Sequence, residues 1–148
     1  MNLEFLPPNK SILKKRLSDL EFEVTQNCAT EPPFSNKYYN EFNDGIYVDI
    51  TNGEPLFSSK DKFQCTCGWP SFSKPIENAY VSLSIDNSLN MNRIEVKSTV
   101  SHSHLGHLFT DGPREFGGLR FCINSASLIF VPKEDMNNDR YKAYLEFL

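Results

Sequence analysis

The chain has 148 residues, 39% of them hydrophobic and 23% charged, with a formal net charge of −4. That length suits one domain over residues 1–148, large enough to bury a core without help from metal or disulfides. The acidic balance and the lack of a basic run exclude nucleic acid as the main partner, because phosphate binding needs clustered Lys and Arg. No apolar run approaches membrane-spanning length, and Met1-Asn2-Leu3-Glu4-Phe5-Leu6-Pro7-Pro8 lacks the charged start and apolar core of a secretory signal. The expectation is a cytoplasmic protein with no membrane partner. In such a reducing compartment Cys28, Cys65, Cys67 and Cys122 read as catalytic, metal-binding or inert rather than as structural bridges.

In chain order, residues 10–28 predict one or two short helices, with Ser18-Asp19-Leu20-Glu21 matching a capping box. The prolines of Thr30-Glu31-Pro32-Pro33-Phe34 end any helix and make a rigid loop. From Gly45 onward β signals dominate. Residues 46–50 predict a strand, Asn52-Gly53 a tight hairpin turn, and 55–59 the return strand. Residues 65–72 carry too much Gly and Pro for a regular element and read as a loop. Short strands follow at 80–85, 93–100, 105–110, 119–124 and 127–131, and residues 133–148 predict a closing helix with Tyr141, Tyr144 and Leu145 on one stripe. The fold class is mainly β, with helices at the two ends.

The most suggestive stretch is Gly117-Gly118-Leu119-Arg120-Phe121-Cys122-Ile123-Asn124-Ser125. On a strand, side chains alternate faces, so Phe121 and Ile123 share one face and Arg120, Cys122 and Asn124 the other. That alternation sets a thiol beside a fixed positive charge, which favours the reactive thiolate. Cys122 reads equally as a small buried hydrophobe. His104 and His107 in Ser103-His104-Leu105-Gly106-His107 would point to opposite faces of a flat strand, so both reach one pocket only if Gly106 supplies a bend. Two such histidines suit metal ligation, proton transfer or plain structural hydrogen bonding. Nothing near them completes a zinc ligand set. His102 reads either as a structural residue or as a member of the histidine group. Cys67 is the candidate partner of Cys122, with Cys65 as a competitor, or both are incidental loop thiols. Trp69 either walls a small pocket or anchors the core.

Taken together, Thr30-Glu31-Pro32-Pro33-Phe34, Cys67-Gly68-Trp69-Pro70-Ser71-Phe72, His104-Leu105-Gly106-His107, Asp111-Gly112-Pro113 and Arg120-Phe121-Cys122-Ile123-Asn124-Ser125 resemble the peptide methionine-R-sulfoxide reductase family, in the family's order and spacing from about Leu17 to about Pro132. The resemblance implies two antiparallel sheets, with an active site open to solvent on one face. It implies Cys122 as nucleophile, attacking the sulfoxide sulfur and becoming a sulfenic acid, and Cys67 as the resolving thiol that condenses with it. It implies a thioredoxin-like dithiol as reductant and oxidised proteins or peptides as substrates. His104 and His107 match histidines that bind or protonate the sulfoxide oxygen. Arg120 would favour the Cys122 thiolate, Asn124 would aim its amide at the same pocket, and Trp69 would hold the ε-methyl group, with Phe116 and Asp111 as further pocket members.

Many relatives carry two Cys-x-x-Cys pairs around a structural zinc ion. The matching positions here are Asp49 with Asn52 and Ser98 with Ser101, so the resemblance implies a zinc-free form with no cofactor. Cys65 stands where a small non-thiol residue is expected, and Cys28 receives no role. The rival readings are a non-catalytic redox sensor or binding module for oxidised methionine, and a metal-binding protein using the histidines and the Cys65-x-Cys67 pair.

Overall fold

The computed structural model describes residues 5–77 and 79–148. Two short helices, α1 (Lys10–Arg16) and α2 (Asp19–Asn27), precede nine strands: β1 (Gly45–Asp49), β2 (Pro55–Ser58), β3 (Lys62–Phe63), β4 (Ser71–Phe72), β5 (Val81–Asp86), β6 (Arg93–Ser98), β7 (His104–Phe109), β8 (Arg120–Ile123) and β9 (Leu128–Pro132). The strands form two antiparallel sheets, β2-β1-β9 and β3-β4-β8-β7-β6-β5. The capping box forms as predicted: Ser18 Oγ accepts the Glu21 N–H at 3.1 Å, and a Glu21 carboxylate oxygen accepts the Ser18 N–H at 2.9 Å. The Asn52-Gly53 turn joins β1 to β2.

The main core lies between the sheets. Tyr47, Leu56, Phe57 and Leu128 from the smaller sheet meet Phe72, Val96, Leu105, Phe121 and Ile123 from the larger one. Phe57 stacks on Phe72 with centroids 4.5 Å apart, and Tyr47 meets Phe72 edge-on at 5.1 Å. Each such pair adds about 0.5–1.5 kcal/mol beyond its buried area. The predicted alternation on β8 holds: Phe121 and Ile123 are buried in this core, while Arg120 and Cys122 on the other face are half-buried. Strand β1, paired on both sides, is buried along its whole length. Its other face receives the C-terminal segment, where Tyr141, Tyr144, Leu145 and Phe147 pack on Ile46, Val48, Ile76 and Met136.

That segment differs from the continuous helix expected over 133–148. It forms two 3-10 stretches, Lys133–Asp135 and Lys142–Phe147. The break has a local cause, since Asn138 Oδ1 accepts the N–H groups of both Arg140 and Tyr141, a side-chain alternative to continuing the helix. Tyr141 Oη donates to Gly53 O at 2.8 Å and Arg140 Nη2 to Asn52 O at 2.7 Å, which ties the chain end to the β1–β2 turn. The stretch 65–72, expected as loop throughout, ends in the two-residue strand β4.

Asp49 and Ser101 meet in space, with Ser101 Oγ donating to Asp49 Oδ2 at 2.6 Å. Asp49 Oδ1 accepts from the Thr51 N–H and hydroxyl at 2.8 and 2.7 Å. Ser98 Oγ lies 3.5 Å from Glu54 Oε1, and Asn52 Oδ1 accepts the Glu54 N–H at 2.9 Å. These groups supply hydroxyls, an amide and carboxylates but no thiolate, so they do not fit a tetrathiolate zinc site. Burial raises the Asp49 carboxyl, and burial together with the charge of Asp49 pushes Glu54 from 4.5 to about 7.

A carboxyl raised on folding contributes stability that is fully present below its unfolded value and lost as pH climbs through its folded one. Urea titrations of wild type and Glu54→Gln should therefore show the wild type losing about 1–2 kcal/mol more than the variant between pH 4.5 and pH 8, after allowance for solvent screening. Parallel stability profiles for the two proteins would contradict this.

Candidate active site

Strand β8 lies inside the larger sheet, so Cys122 has a neighbour on each side: Ser71 on β4 and His107 on β7. Gly106 permits the β7 approach, since a Cβ there would stand 2.0 Å from the Cys122 carbonyl oxygen. The bend needed to bring the two histidines together is a β-bulge. Val96 pairs with Gly106 but Lys97 with His104, leaving Leu105 as the extra residue on β7. The imidazole centroids consequently lie 5.4 Å apart. Each ring is held by a carboxylate: His104 Nδ1 lies 2.6 Å from Glu95 Oε2, and His107 Nε2 lies 2.8 Å from Asp86 Oδ2. Burial, outweighing Glu95, lowers the proton affinity of His104. Its buried Nε2 has no hydrogen-bond partner among the described residues.

Cys67 arrives from the loop before β4. Its Sγ lies 3.3 Å from Ser71 Oγ and 3.5 Å from Trp69 O, and its N–H donates to Cys65 Sγ at 3.3 Å. The loop is pressed against the Pro32-Pro33 segment. Gly68 is at φ +90°, and a Cβ on it would stand 2.7 Å from that of Pro33. Phe34 N–H and Asn36 Nδ2 both donate to Gly68 O. Glu31 fastens this assembly to β8. Its carboxylate accepts the N–H groups of Ser125 and Ala126, its N–H donates to Asn124 Oδ1 at 3.1 Å, and its carbonyl accepts the Trp69 indole N–H at 3.0 Å.

Cys67, Trp69, His107, Phe109, Arg120 and Cys122 line one cavity of about 140 Å³, with Thr30, Arg93 and Asn124 also contributing. All four cysteines are free thiols, and Cys65, Cys67 and Cys122 are half-buried. A wider groove on the other side of Cys67 is lined by Cys65, Cys67, Asp111, Pro113 and Arg120. Cys67 and Arg120 thus stand on the wall between the two.

Several expectations need correction. Arg120 favours the Cys122 thiolate, as expected, but is outweighed. Burial, then the charge of Cys67, push the Cys122 thiol up to about 12, against the lowering effect of Arg120. Cys67 is the thiol that is lowered: burial opposes this, but contacts with Cys65, Ser71 and Trp69 and the charge of Arg120 outweigh it. Asn124 lines the cavity, but both ends of its amide are committed, since Nδ2 donates to Leu105 O at 3.1 Å while Oδ1 holds Glu31. Asp111 spends its carboxylate on Arg120 in a two-pronged contact of 2.8 and 3.2 Å and faces the outer groove instead. Phe116 is exposed on the 3-10 turn Arg114–Phe116, outside the Cys122 cavity. His104 stands behind His107 rather than in the cavity wall. Glu31, Glu95 and Asp86 are absent from the sequence-based set, and only the position of Glu31 within the Thr-Glu-Pro-Pro-Phe run hinted at one of them.

Residues 17–132 match the family model of the SelR domain. The match spans both sheets and every residue of the cavity wall named above.

If the charge of Cys67 is part of what holds the proton on Cys122, Cys67→Ser should lower the apparent pKa of Cys122, read as thiolate absorbance against pH in a background lacking Cys28 and Cys65. An unchanged or higher value would remove Cys67 from that role.

Proposed function

The chain belongs to the SelR domain family of methionine-R-sulfoxide reductases, and we propose that it reduces methionine-R-sulfoxide in oxidised proteins through a Cys122 sulfenic acid and a Cys67–Cys122 disulfide. The observation that carries this reading is the placement of both thiols on one cavity wall with His107 directly across the ladder from Cys122. Trp69 and Phe109 give that cavity an apolar side suited to a thioether and its methyl group, while Arg120 and His107 give it a polar side suited to a sulfoxide oxygen.

The Cys122 sulfur attacks the sulfoxide sulfur while a proton reaches the sulfoxide oxygen. Because Cys122 rests as a thiol, its own proton is available for that transfer, and His107 relays it or supplies its own. As the S–O bond breaks, the hydroxyl passes to the Cys122 sulfur and displaces the substrate sulfur from the transient Cys122–substrate S–S bond, which leaves methionine and a Cys122 sulfenic acid. The Cys67 thiolate attacks the sulfenic sulfur, the hydroxyl leaves with a proton as water, and a disulfide remains. A thioredoxin-like dithiol reduces that disulfide by two exchanges. Arg120, braced by Asp111 and lying over the Phe109 ring at 4.3 Å, steadies whichever sulfur carries the charge. Asn124 and Glu31 keep β8 and the Cys67 loop at a fixed spacing, so their part is positional. His104, held by Glu95, buttresses His107. The chain works without a structural zinc ion and in a reducing compartment such as the cytoplasm, where its thiols stay free.

With the resolved epimers supplied separately, the protein should reduce R-sulfoxide and leave S-sulfoxide untouched. Cys122→Ser should lower turnover on the order of 10³-fold or more. Cys67→Ser should still release one equivalent of methionine yet lose cycling driven by thioredoxin. Reduction of the S epimer, or turnover in Cys122→Ser within about tenfold of wild type, would overturn the proposal.

A further inference from the structure

Cys28 takes no part in the redox pair, yet it is not isolated. It caps the C-terminus of α2, is exposed, and its Sγ lies 3.4 Å from Glu95 Oε2. The same carboxylate oxygen lies 2.6 Å from His104 Nδ1. One donor atom from each of Cys28, Glu95 and His104 falls within 4.8 Å of the other two. We propose that these three residues form a binding site for a thiophilic divalent cation, with Zn²⁺ the best fit.

The donor set supports that cation. A thiolate sulfur, a carboxylate oxygen and an imidazole nitrogen are the ligands Zn²⁺ takes, and three protein ligands with one water complete its tetrahedron. Metal–ligand bonds of about 2.0–2.3 Å place tetrahedral donors roughly 3.3–3.7 Å apart. The Cys28–Glu95 spacing already meets this, and the Glu95–His104 spacing need open by only about 1 Å as the cation replaces the proton between them. Charge also balances, since one thiolate and one carboxylate neutralise a dication. Lys97 Nζ and Ser84 Oγ contact the other carboxylate oxygen, Oε1, at 3.9 and 3.5 Å, and leave Oε2 to the site. The ligands come from the residue capping α2, from β6 and from β7, so the site exists only in the folded chain. The exposed Cys28 provides the entry path from solvent and the buried His104 the rigid end.

None of the three is one of the positions matching the thiols of zinc-bearing relatives. Binding at Nδ1 would fix the imidazole proton on Nε2, the nitrogen without a partner among the described residues, and prevent His104 from becoming an imidazolium ion. The site would then couple metal level to the state of the ring behind His107. That consequence rests on the proposed reductase activity, whereas binding does not.

The test uses Co²⁺ as a spectroscopic probe and a variant with Cys65, Cys67 and Cys122 all changed to Ser, which leaves Cys28 as the sole thiol. We expect one equivalent of Co²⁺ to bind with tetrahedral d–d bands and a thiolate-to-cobalt charge-transfer band, both displaced by Zn²⁺. Glu95→Gln in the same background should weaken binding at least tenfold, and Cys28→Ser should abolish the charge-transfer band. Absence of that band, or a band and affinity unchanged by both Glu95→Gln and His104→Gln, would overturn the site. Should the triple variant not fold by circular dichroism, zinc stoichiometry of the otherwise native chain decides: Cys28→Ser must bind one equivalent fewer, and equal stoichiometry overturns the site. The absorbance needs no turnover, so a protein inactive on sulfoxides would still show it.

Discussion

The carboxylate of Glu31 lies buried under its own loop and is satisfied by backbone N–H groups of Ser125 and Ala126, just beyond the strand that carries Cys122. The main chain of the same residue holds the Asn124 amide and the Trp69 indole. One residue thereby joins the strand of one candidate thiol to the loop of the other. Burial raises its carboxyl while the Ser125 and Ala126 contacts resist protonation. Removing the carboxylate would strand two buried donors at about 1–3 kcal/mol each, in a protein whose total stability is on the order of 5–15 kcal/mol. Glu31 thereby ties the strand of Cys122 to the loop of Cys67.

Protons in the resting site are distributed by burial and neighbours, not by residue type. Cys122, the more deeply buried, keeps its proton, while Cys67, with thiol, hydroxyl and carbonyl partners around it, gives its proton up more easily. A protonated thiol is sheltered from adventitious oxidation, because oxidants attack thiolates. Under the proposed mechanism, Cys67 would be ready when a sulfenic acid forms beside it. The histidines follow the same logic, each orienting its ring by handing one nitrogen to a carboxylate.

Around this site the scaffold is held by packing and hydrogen bonds. The stacked Phe57 and Phe72 rings bring the sheets together, and the patch of Asp49, Thr51, Ser98 and Ser101 fastens β1 to the β6–β7 connection through hydroxyls and a buried carboxylate. Glu95 serves two settings, holding His104 on one side and meeting Cys28 on the outer side. The β6–β7 ladder thus connects the surface to the histidine pair.

Much was legible in the residue order because its causes are local. Runs of β-prone residues located seven of the nine described strands to within one or two residues and missed the two-residue β3 and β4, Asn52-Gly53 set the first hairpin, and Ser18 with Glu21 marked the start of α2. The alternation around Cys122 determined which side chains leave the core, and the motif runs identified the thiols and histidines worth examining. The C-terminal helix was misjudged because the Asn138 side chain competes for backbone N–H groups in a way that apolar spacing does not register. The tertiary structure alone decided the Leu105 bulge, the register that sets His107 and Ser71 beside Cys122, the bracing of Arg120 by Asp111 and the convergence of Cys28, Glu95 and His104. Strand pairing, burial and charge proximity join residues tens of positions apart, and a thiol's proton affinity depends on those surroundings and not on its neighbours in sequence.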